Sequence, residues 1–152
     1  MFELIQSLTV DAESGLARGW ARVPADHSFL RDHFPGNPVL AGSLQIELAA
    51  QVAGPLAEEI AALRHNLERW SFLALVRNAA FLEPVPLPAS LVITAKVQRA
   101  EPSSVAVAVQ VENEGRPSCR AELVMALREA EPRWQEAIRG YKERLAAWKA
   151  RA

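Results

Sequence analysis

The segment from Gly42 to about Leu56 constrains the fold most, because its apolar side chains cover nearly every face of a helix. A surface helix keeps a polar face, so a helix that is apolar all round has to be buried. Gly54 and Pro55 interrupt the segment, and a proline inside a helix removes one hydrogen bond and clashes with the preceding turn. We therefore predict a kink or restart at this pair, with a second, amphipathic helix running to about Leu67.

Strand-like runs lie on both sides of this helix. Two short ones precede it, Phe2 to Val10 and Leu16 to Val23. Four more follow it, with the apolar alternation typical of half-buried strands: Trp70 to Leu82, Leu91 to Ala100, Val105 to Val111 and Cys119 to Leu127. A long sheet that wraps around one apolar helix buries that helix completely. The sequence therefore predicts an α+β layer architecture.

The last part of the chain is predicted to form a separate helix. Pro132 ends the strand pattern, and apolar residues then recur at steps of three and four, which is typical of one helix face: Trp134, Ile138, Tyr141, Leu145 and Trp148. We predict a main domain over residues 1–128 and an amphipathic helical extension over residues 129–152. Residues 133–152 carry six basic and two acidic side chains, although the whole chain has a net charge of −1.

Composition excludes several classes of protein. The chain has 152 residues, half of them hydrophobic, which fits one domain with a sizeable core. The near-zero net charge gives no general reason to expect nucleic-acid binding. No apolar stretch reaches the ~20 residues of a membrane-spanning helix, and the first residues lack the features of a signal peptide. Cys119 is the only cysteine, so no intrachain disulfide forms and we expect a reducing, cytoplasmic location.

A proton-transfer site is the main functional hypothesis from the residues alone. His33 lies in a loop stiffened by Pro35 and Pro38, and Glu47 follows fourteen residues later on the apolar helix. A base and an acid of different pKa, held on rigid supports, are the parts that such chemistry needs near neutral pH. Gly42, at the entrance of the helix, lets a substrate carbonyl approach unpaired backbone N–H groups.

Glu47 is expected to be the acid of this pair. Because it lies on an apolar helix, desolvation is expected to favour its neutral, proton-donating form. Gln51 lies one helical turn further along the same face and is placed to orient the carboxyl group. No cluster of His, Cys and Asp residues has metal-ligand spacing, so we predict no metal site.

These residues together form a recognisable signature. It consists of a His-Phe-Pro-Gly run and four further positions: His33 to Gly36, then Pro38, Gly42, Glu47 and Gln51. The signature resembles that of the hotdog-fold β-hydroxyacyl–acyl carrier protein dehydratases, including the spacing between histidine and glutamate. A weaker resemblance extends from about Phe2 to Leu127. The resemblance to this family implies an antiparallel sheet curled around a central helix. It also implies that the protein assembles as a homodimer or a ring of dimers.

The resemblance also implies a reaction and its partners. According to this resemblance, His33 takes the α-proton of a 3-hydroxyacyl thioester, and Glu47 of the opposite subunit protonates the departing 3-hydroxyl. The Gly42 N–H holds the thioester oxygen, and the product is the trans-2-enoyl thioester of fatty-acid or polyketide-type synthesis. The substrate is carried on the phosphopantetheine of an acyl carrier protein, and no cofactor is expected. Glutamate at position 47 favours simple dehydration, since related dehydratase/isomerases usually carry aspartate there.

Two departures from the family pattern keep rival functions open. Ala41 stands where the family usually has proline, and Leu82 and Glu83 replace the basic residues common before Pro84. Those basic residues lie near the place where an acidic carrier protein docks. The rivals are a hotdog thioesterase, in which Glu47 activates water, and a catalytically silent partner that binds acyl carrier protein.

The terminal helix has two alternative roles. We expect it to cover apolar surface of its own dimer. The alternative is a docking face for an acidic carrier protein, formed by its basic side chains Arg139, Lys142, Arg144 and Lys149.

Overall fold

The structure is a computed structural model that describes residues 3–152. It contains six strands and two helices: β1 Ile5–Asp11, β2 Leu16–Val23, α1 Gly42–His65, β3 Trp70–Phe81, β4 Ala89–Glu101, β5 Ser104–Asn113, β6 Arg116–Arg128 and α2 Gln135–Ala150. Short 3₁₀ turns lie at Ser28–Leu30 and Pro132–Trp134. All strands join one antiparallel sheet in the order β1-β2-β4-β5-β6-β3. This is the predicted antiparallel sheet around a central helix, with an additional C-terminal helix.

The core lies between α1 and the inner face of the sheet. Leu48, Val52, Leu56 and Ile60 are completely shielded from solvent on the helix. On the strands, the alternating residues are buried as predicted, among them Val105, Val107, Val111, Leu123 and Met125. The predicted start of the first strand at Phe2 lies outside the described residues. Within residues 3–152, no helix combines the length and the hydropathy needed to cross a bilayer.

The predicted division of the central helix at Gly54 and Pro55 is wrong. α1 runs as one helix of 24 residues with Pro55 inside it. A proline in a helix interior costs ~3 kcal/mol, but Ala53 and Leu56, on either side of the pair, are fully buried. Packing over the whole helix therefore outweighs the local cost of the proline. A glycine at position 54 has a separate structural explanation. A Cβ there would lie 2.9 Å from Ser71 Oγ, because α1 and β3 approach closely at this point.

α2 lies across the side of the helix that the sheet leaves open. Near its end, Trp148 is buried and packs beside Ile5 of β1. Just before its start, the Trp134 ring lies 6.1 Å from the ring of Trp70, the first residue of β3, with the two planes tilted by 44°. Because β1 and β3 are the two edge strands, the extension bridges both edges of the curled sheet. It covers the C-terminal half of α1 within its own chain, through Glu58 among other residues.

Among residues 3–152, β3 leaves one edge of the sheet without a partner strand. It pairs with β6 on one side only and is twelve residues long. Large apolar side chains are exposed along it, with Leu75 at 44%, Val76 at 37% and Phe81 at 53%. A long edge with apolar side chains and unpaired N–H and C=O groups is a site for pairing with another chain.

Candidate active site

His33 lies in a tight loop whose backbone conformation is tied to the residues after it. Phe34 has a φ of 66° and Gly36 a φ of 80°, both in the left-handed region that tight turns use. The Asn37 N–H donates to the Phe34 carbonyl at 2.9 Å, and the His33 N–H donates to the Leu30 carbonyl at 3.0 Å. The imidazole is therefore presented by a loop with a fixed turn at its centre.

The proline-rich segment before β4 holds the other side of this loop. The Leu40 N–H donates to the Val85 carbonyl at 2.9 Å, and the Leu87 N–H donates to the Pro38 carbonyl at 3.0 Å. These two bonds anchor the chain between His33 and α1 on the sheet. The prolines of both segments, whose φ angles are fixed, add to this rigidity.

A backbone hydrogen bond sets the tautomer of His33. Its Nδ1 lies 3.0 Å from the Val39 carbonyl oxygen. A carbonyl oxygen only accepts, so Nδ1 is the protonated nitrogen and Nε2 of the neutral ring keeps its lone pair. The side chain is half-buried. This arrangement suits a general base that acts through Nε2.

Gly42 begins α1 where the helix approaches Phe81. Ala41 is the N-cap residue, with φ −62° and ψ 138°, and supplies no side-chain cap. A Cβ on Gly42 would lie 2.8 Å from Phe81 Cε1, so any larger residue here would displace the Phe81 ring. As the first helical residue, Gly42 has an N–H without an intrahelical acceptor, at the positive end of the helix dipole. Such a group binds a partly negative oxygen.

Glu47 and Gln51 form a pair on one face of α1, as predicted. Gln51 Nε2 donates to Glu47 Oε1 at 2.8 Å. The expected burial of Glu47 is wrong for the chain on its own, because its side chain is exposed. The apolar faces of α1 point into the sheet, whereas Glu47 lies on the side that the sheet leaves open. Gln51 Oε1 is buried and has no hydrogen-bond partner within residues 3–152.

A cavity of about 510 Å³ extends from this pair along α1. One wall is a stripe of the helix that includes Ala50, Gly54 and Pro55 between Glu47 and Glu58. The sheet supplies a second wall, Trp70, Ser71, Phe72, Leu73 and Met125. The extension closes the remaining side with Trp134, Ala137, Ile138 and Tyr141. The lining is apolar apart from its two ends.

The far end of the cavity is a hydrogen-bonded cluster around Glu58. Ser71 donates to Glu58 Oε1 twice, from its N–H at 2.8 Å and from its Oγ at 3.0 Å. The Tyr141 hydroxyl donates to Glu58 Oε2 at 3.4 Å. Burial raises the pKa of Glu58 against the lowering effect of the Ser71 bonds. Burial and the neighbouring Glu58 charge raise the pKa of Tyr141.

Sequence reasoning missed this cluster and the role of α2 in the cavity. One sequence pattern pointed to the cluster: Glu47, Gln51, Gly54 and Glu58 follow one another on one helix face. The partners Ser71 and Tyr141 come from distant parts of the chain, so no spacing rule connects them to it.

Of the predicted site residues, the large cavity brings together Glu47 and Gln51. Glu47 lines the large cavity and a smaller one that Phe29 and Leu30 also line, whereas His33 lines neither. Cys119 is buried, and burial raises the pKa of its thiol, so it is not an activated nucleophile. No group of three or more His, Cys, Asp or Glu side chains that could hold a metal ion is found between residues 3 and 152.

Comparison with known proteins identifies the family. Residues 10–114 match the ApeI-like family, described as ApeI dehydratase. The 3-hydroxyacyl-[acyl-carrier-protein] dehydratase FabZ of Bacillus velezensis is 32% identical over 128 residues, which cover 84% of this chain and 89% of the relative. The chain belongs to the FabZ and ApeI family of hotdog-fold dehydratases. As a dehydratase, it is an enzyme of the lyase class.

Solved structures share the fold of this dehydratase at low sequence identity. The dehydratase heterocomplex ApeI:P from Xenorhabdus doucetiae matches with a TM-score of 0.65 and 14% identity, covering 88% of each chain. A thioesterase from Haemophilus influenzae matches with a TM-score of 0.58 and 17% identity, covering 76% of this chain and 73% of the other. These two likenesses concern the fold alone.

Proposed function

We propose that this dehydratase removes water from a 3-hydroxyacyl thioester carried on the phosphopantetheine arm of an acyl carrier protein. The product is the trans-2-enoyl thioester, as in fatty-acid or polyketide-type synthesis. The name of the Bacillus velezensis relative gives that protein this substrate class. The observation that carries the proposal is the hydrogen-bonded Glu47–Gln51 pair at one end of a cavity whose middle is apolar.

The reaction needs one base, one acid and one oxyanion donor. His33 Nε2 takes the proton from C2, and the C2–H electron pair forms the C2–C3 double bond. The C3–O bond breaks, and the proton on Glu47 goes to the departing hydroxyl to give water. The Gly42 N–H stabilises the charge that develops on the thioester oxygen. Each positioned proton transfer contributes about 10²–10⁴-fold to the rate, and no cofactor enters the sequence.

Gln51 positions the carboxyl group that acts as the acid. Its Nε2–H donates to Glu47 Oε1 at 2.8 Å. Its own Oε1 is buried and has no hydrogen-bond partner within residues 3–152, and an unpaired buried acceptor costs about 1–3 kcal/mol. In this proposal, a small shift of the Gln51 side chain when substrate binds brings Oε1 within reach of the 3-hydroxyl group.

Assembly through β3 completes the site in this proposal. The outer edge of β3 is unpaired and carries exposed Leu75 and Val76, so pairing of two copies across a two-fold axis extends the sheet. His33 of one protomer then serves Glu47 of its partner. A ring of such dimers uses further surfaces. The Xenorhabdus doucetiae structure is a dehydratase heterocomplex. The alternative partner in this proposal is therefore a related second chain.

The carrier protein is proposed to dock away from the basic face of α2. Lys142 is paired with Glu68 at 3.0 Å, and Lys149 is paired with Glu59. Two of the four basic side chains considered for docking thus have acidic partners within the chain. This leaves the face with less positive charge than its sequence suggests.

A thioesterase activity is the second candidate. Thioesterase structures share the fold, and an exposed Glu47 carboxylate is placed to activate water for attack on the thioester. A silent binding partner is the third.

Mass spectrometry of a 3-hydroxyacyl carrier protein after incubation separates these functions. Dehydration lowers the mass of the carrier-bound acyl group by one water, whereas hydrolysis releases the free acid and leaves the carrier without its acyl group. We expect the first result. Release of free acid supports the thioesterase, and tight binding without either product supports the silent partner; both outcomes overturn the proposal.

A further inference from the structure

One wall of the cavity beside Glu47 lies outside the residues that match the family. The match ends at residue 114, whereas Trp134, Ala137, Ile138 and Tyr141 line the cavity from the C-terminal extension. This wall comes from α2, the helix that follows the last strand of the sheet.

The cavity has the length and lining of a channel for an alkyl chain. Glu47 and Glu58 are eleven residues apart on α1, which corresponds to about 16 Å along the helix. The side chains between them on that face are small or flat, since Ala50, Gly54 and Pro55 form the floor. A flexible chain of methylene groups therefore meets no obstruction from the helix between the two carboxyl groups.

The volume agrees with this interpretation. The cavity of about 510 Å³ is roughly three times as large as the ~150 Å³ apolar cavity that holds one benzene molecule. It therefore has room for an acyl tail of more than ten carbon atoms. An apolar tail also gains free energy from leaving water in proportion to the area it buries.

The polar cluster at the far end gives the channel a definite stop. Glu58 accepts hydrogen bonds from Ser71 and Tyr141. A hydrocarbon tail that displaced the Tyr141 hydroxyl would leave buried polar groups without partners, which is costly. Ile138 and Tyr141 therefore form the end against which the tail stops, and both belong to α2.

We propose that the extension of residues 129–152 sets the longest acyl chain that this dehydratase accepts, with Ala137, Ile138 and Tyr141 as its specificity-determining residues. This inference rests on the proposed function. The occupant is the acyl tail of the substrate, because the mouth of the cavity holds the Glu47–Gln51 pair that acts on its 3-hydroxyl. A protein segment in this place would not explain a carboxyl group at the mouth of an apolar channel.

The test compares one substitution at two positions of α2. Ala137→Phe places a ring in the cavity, and Ala146→Phe places the same ring on an exposed position that does not line it. Dehydration of 3-hydroxybutyryl and 3-hydroxydodecanoyl carrier proteins is measured for the full-length wild type and both variants. We expect Ala137→Phe to lower the ratio of kcat/KM for the long over the short substrate by about tenfold or more, because each methylene kept out of an apolar site costs about fourfold. Ala146→Phe should leave the ratio within twofold of wild type.

A cavity-enlarging variant tests the opposite direction. Ile138→Ala removes side-chain volume at the end of the cavity. It should raise kcat/KM, relative to that for 3-hydroxybutyryl carrier protein, for an acyl chain longer than the longest one that the wild type accepts. If Ala137→Phe and Ala146→Phe give the same ratio as wild type, or if the wild type dehydrates only the short substrate, the inference is overturned. If the wild type dehydrates neither substrate, the proposed function itself fails, so the two failures are distinct.

Discussion

Gln51 Nε2 donates a hydrogen bond to Glu47 Oε1 at 2.8 Å across one turn of α1. This bond joins two polar groups at one end of a cavity whose other side is lined by β3 and α2. It orients the carboxyl group without burying it, because Glu47 stays exposed in the single chain. Desolvation of Glu47 is thus expected from a partner subunit and the bound acyl chain.

Substitutions at this pair should separate proton donation from positioning. We expect Glu47→Gln to lower kcat/KM for dehydration about 10²–10⁴-fold, because the amide has no proton to donate to the leaving hydroxyl. Gln51→Ala removes one hydrogen bond that positions the Glu47 carboxyl group and should cost about two- to tenfold. Both are measured by enoyl formation, with Glu143→Gln on the exposed face of α2 as the control. Equal losses for Gln51→Ala and Glu143→Gln would contradict the positioning role.

The edge of β3 should control assembly and activity together. Leu75→Lys places a charge on the exposed edge strand, where it would be desolvated by a pairing copy. We expect a monomer by analytical ultracentrifugation and loss of dehydration, because the site needs a second protomer. Gln98→Lys, on an exposed position of β4, should change neither property. A fully active monomeric Leu75→Lys protein would show that one chain contains the whole site.

Glu58 should make stability depend on pH. Burial raises its pKa in the folded protein above the ordinary 4.5, so the folded state holds this proton to higher pH than the unfolded state. The free energy of unfolding therefore loses a contribution as pH rises above 4.5 toward the raised value. Glu58→Gln should become more stable relative to wild type as the pH of urea unfolding is raised from below that value to neutrality. A stability difference between Glu58→Gln and wild type that is constant with pH would refute this assignment.

The turn into α1 should accept proline. Ala41 has a φ of −62°, close to the value that proline fixes. Ala41→Pro should therefore raise the free energy of unfolding by about 0.4–1 kcal/mol, since it restricts mainly the unfolded chain. Gly36→Pro is the contrasting variant, because a φ of 80° excludes proline, and it should destabilise the protein in the same urea titration. A loss of stability in Ala41→Pro would mean that the chain before α1 differs from the family turn.

The sequence predicted those parts of the fold that depend on local pattern. Alternation marked the strands, and the all-apolar helix beginning at Gly42 required a sheet around it. Pro55 was misread, because its local penalty is visible in the sequence whereas the burial of the surrounding turns is a property of the whole fold. The burial of Glu47 was predicted wrongly for a related reason, since a mostly apolar helix still has one side that its own sheet leaves open.

The candidate site was predicted to a similar extent. The hydrogen bond between Glu47 and Gln51 follows from their spacing on a helix. The Glu58 cluster and the contribution of Tyr141 to the cavity do not, because they join α1, β3 and α2 across long stretches of sequence. Amphipathic periodicity predicted that α2 packs on something, but it carries no information on which surface is covered.

The central claim is that His33 of one protomer and Glu47 of its partner form one active site. It is tested most directly by mixing two inactive variants, His33→Ala and Glu47→Gln, and allowing their subunits to exchange. A mixed dimer then has one intact site, so a random mixture should regain about one quarter of wild-type dehydration. A mixture that stays as inactive as its parents, although native mass spectrometry shows that mixed dimers have formed, would contradict the claim.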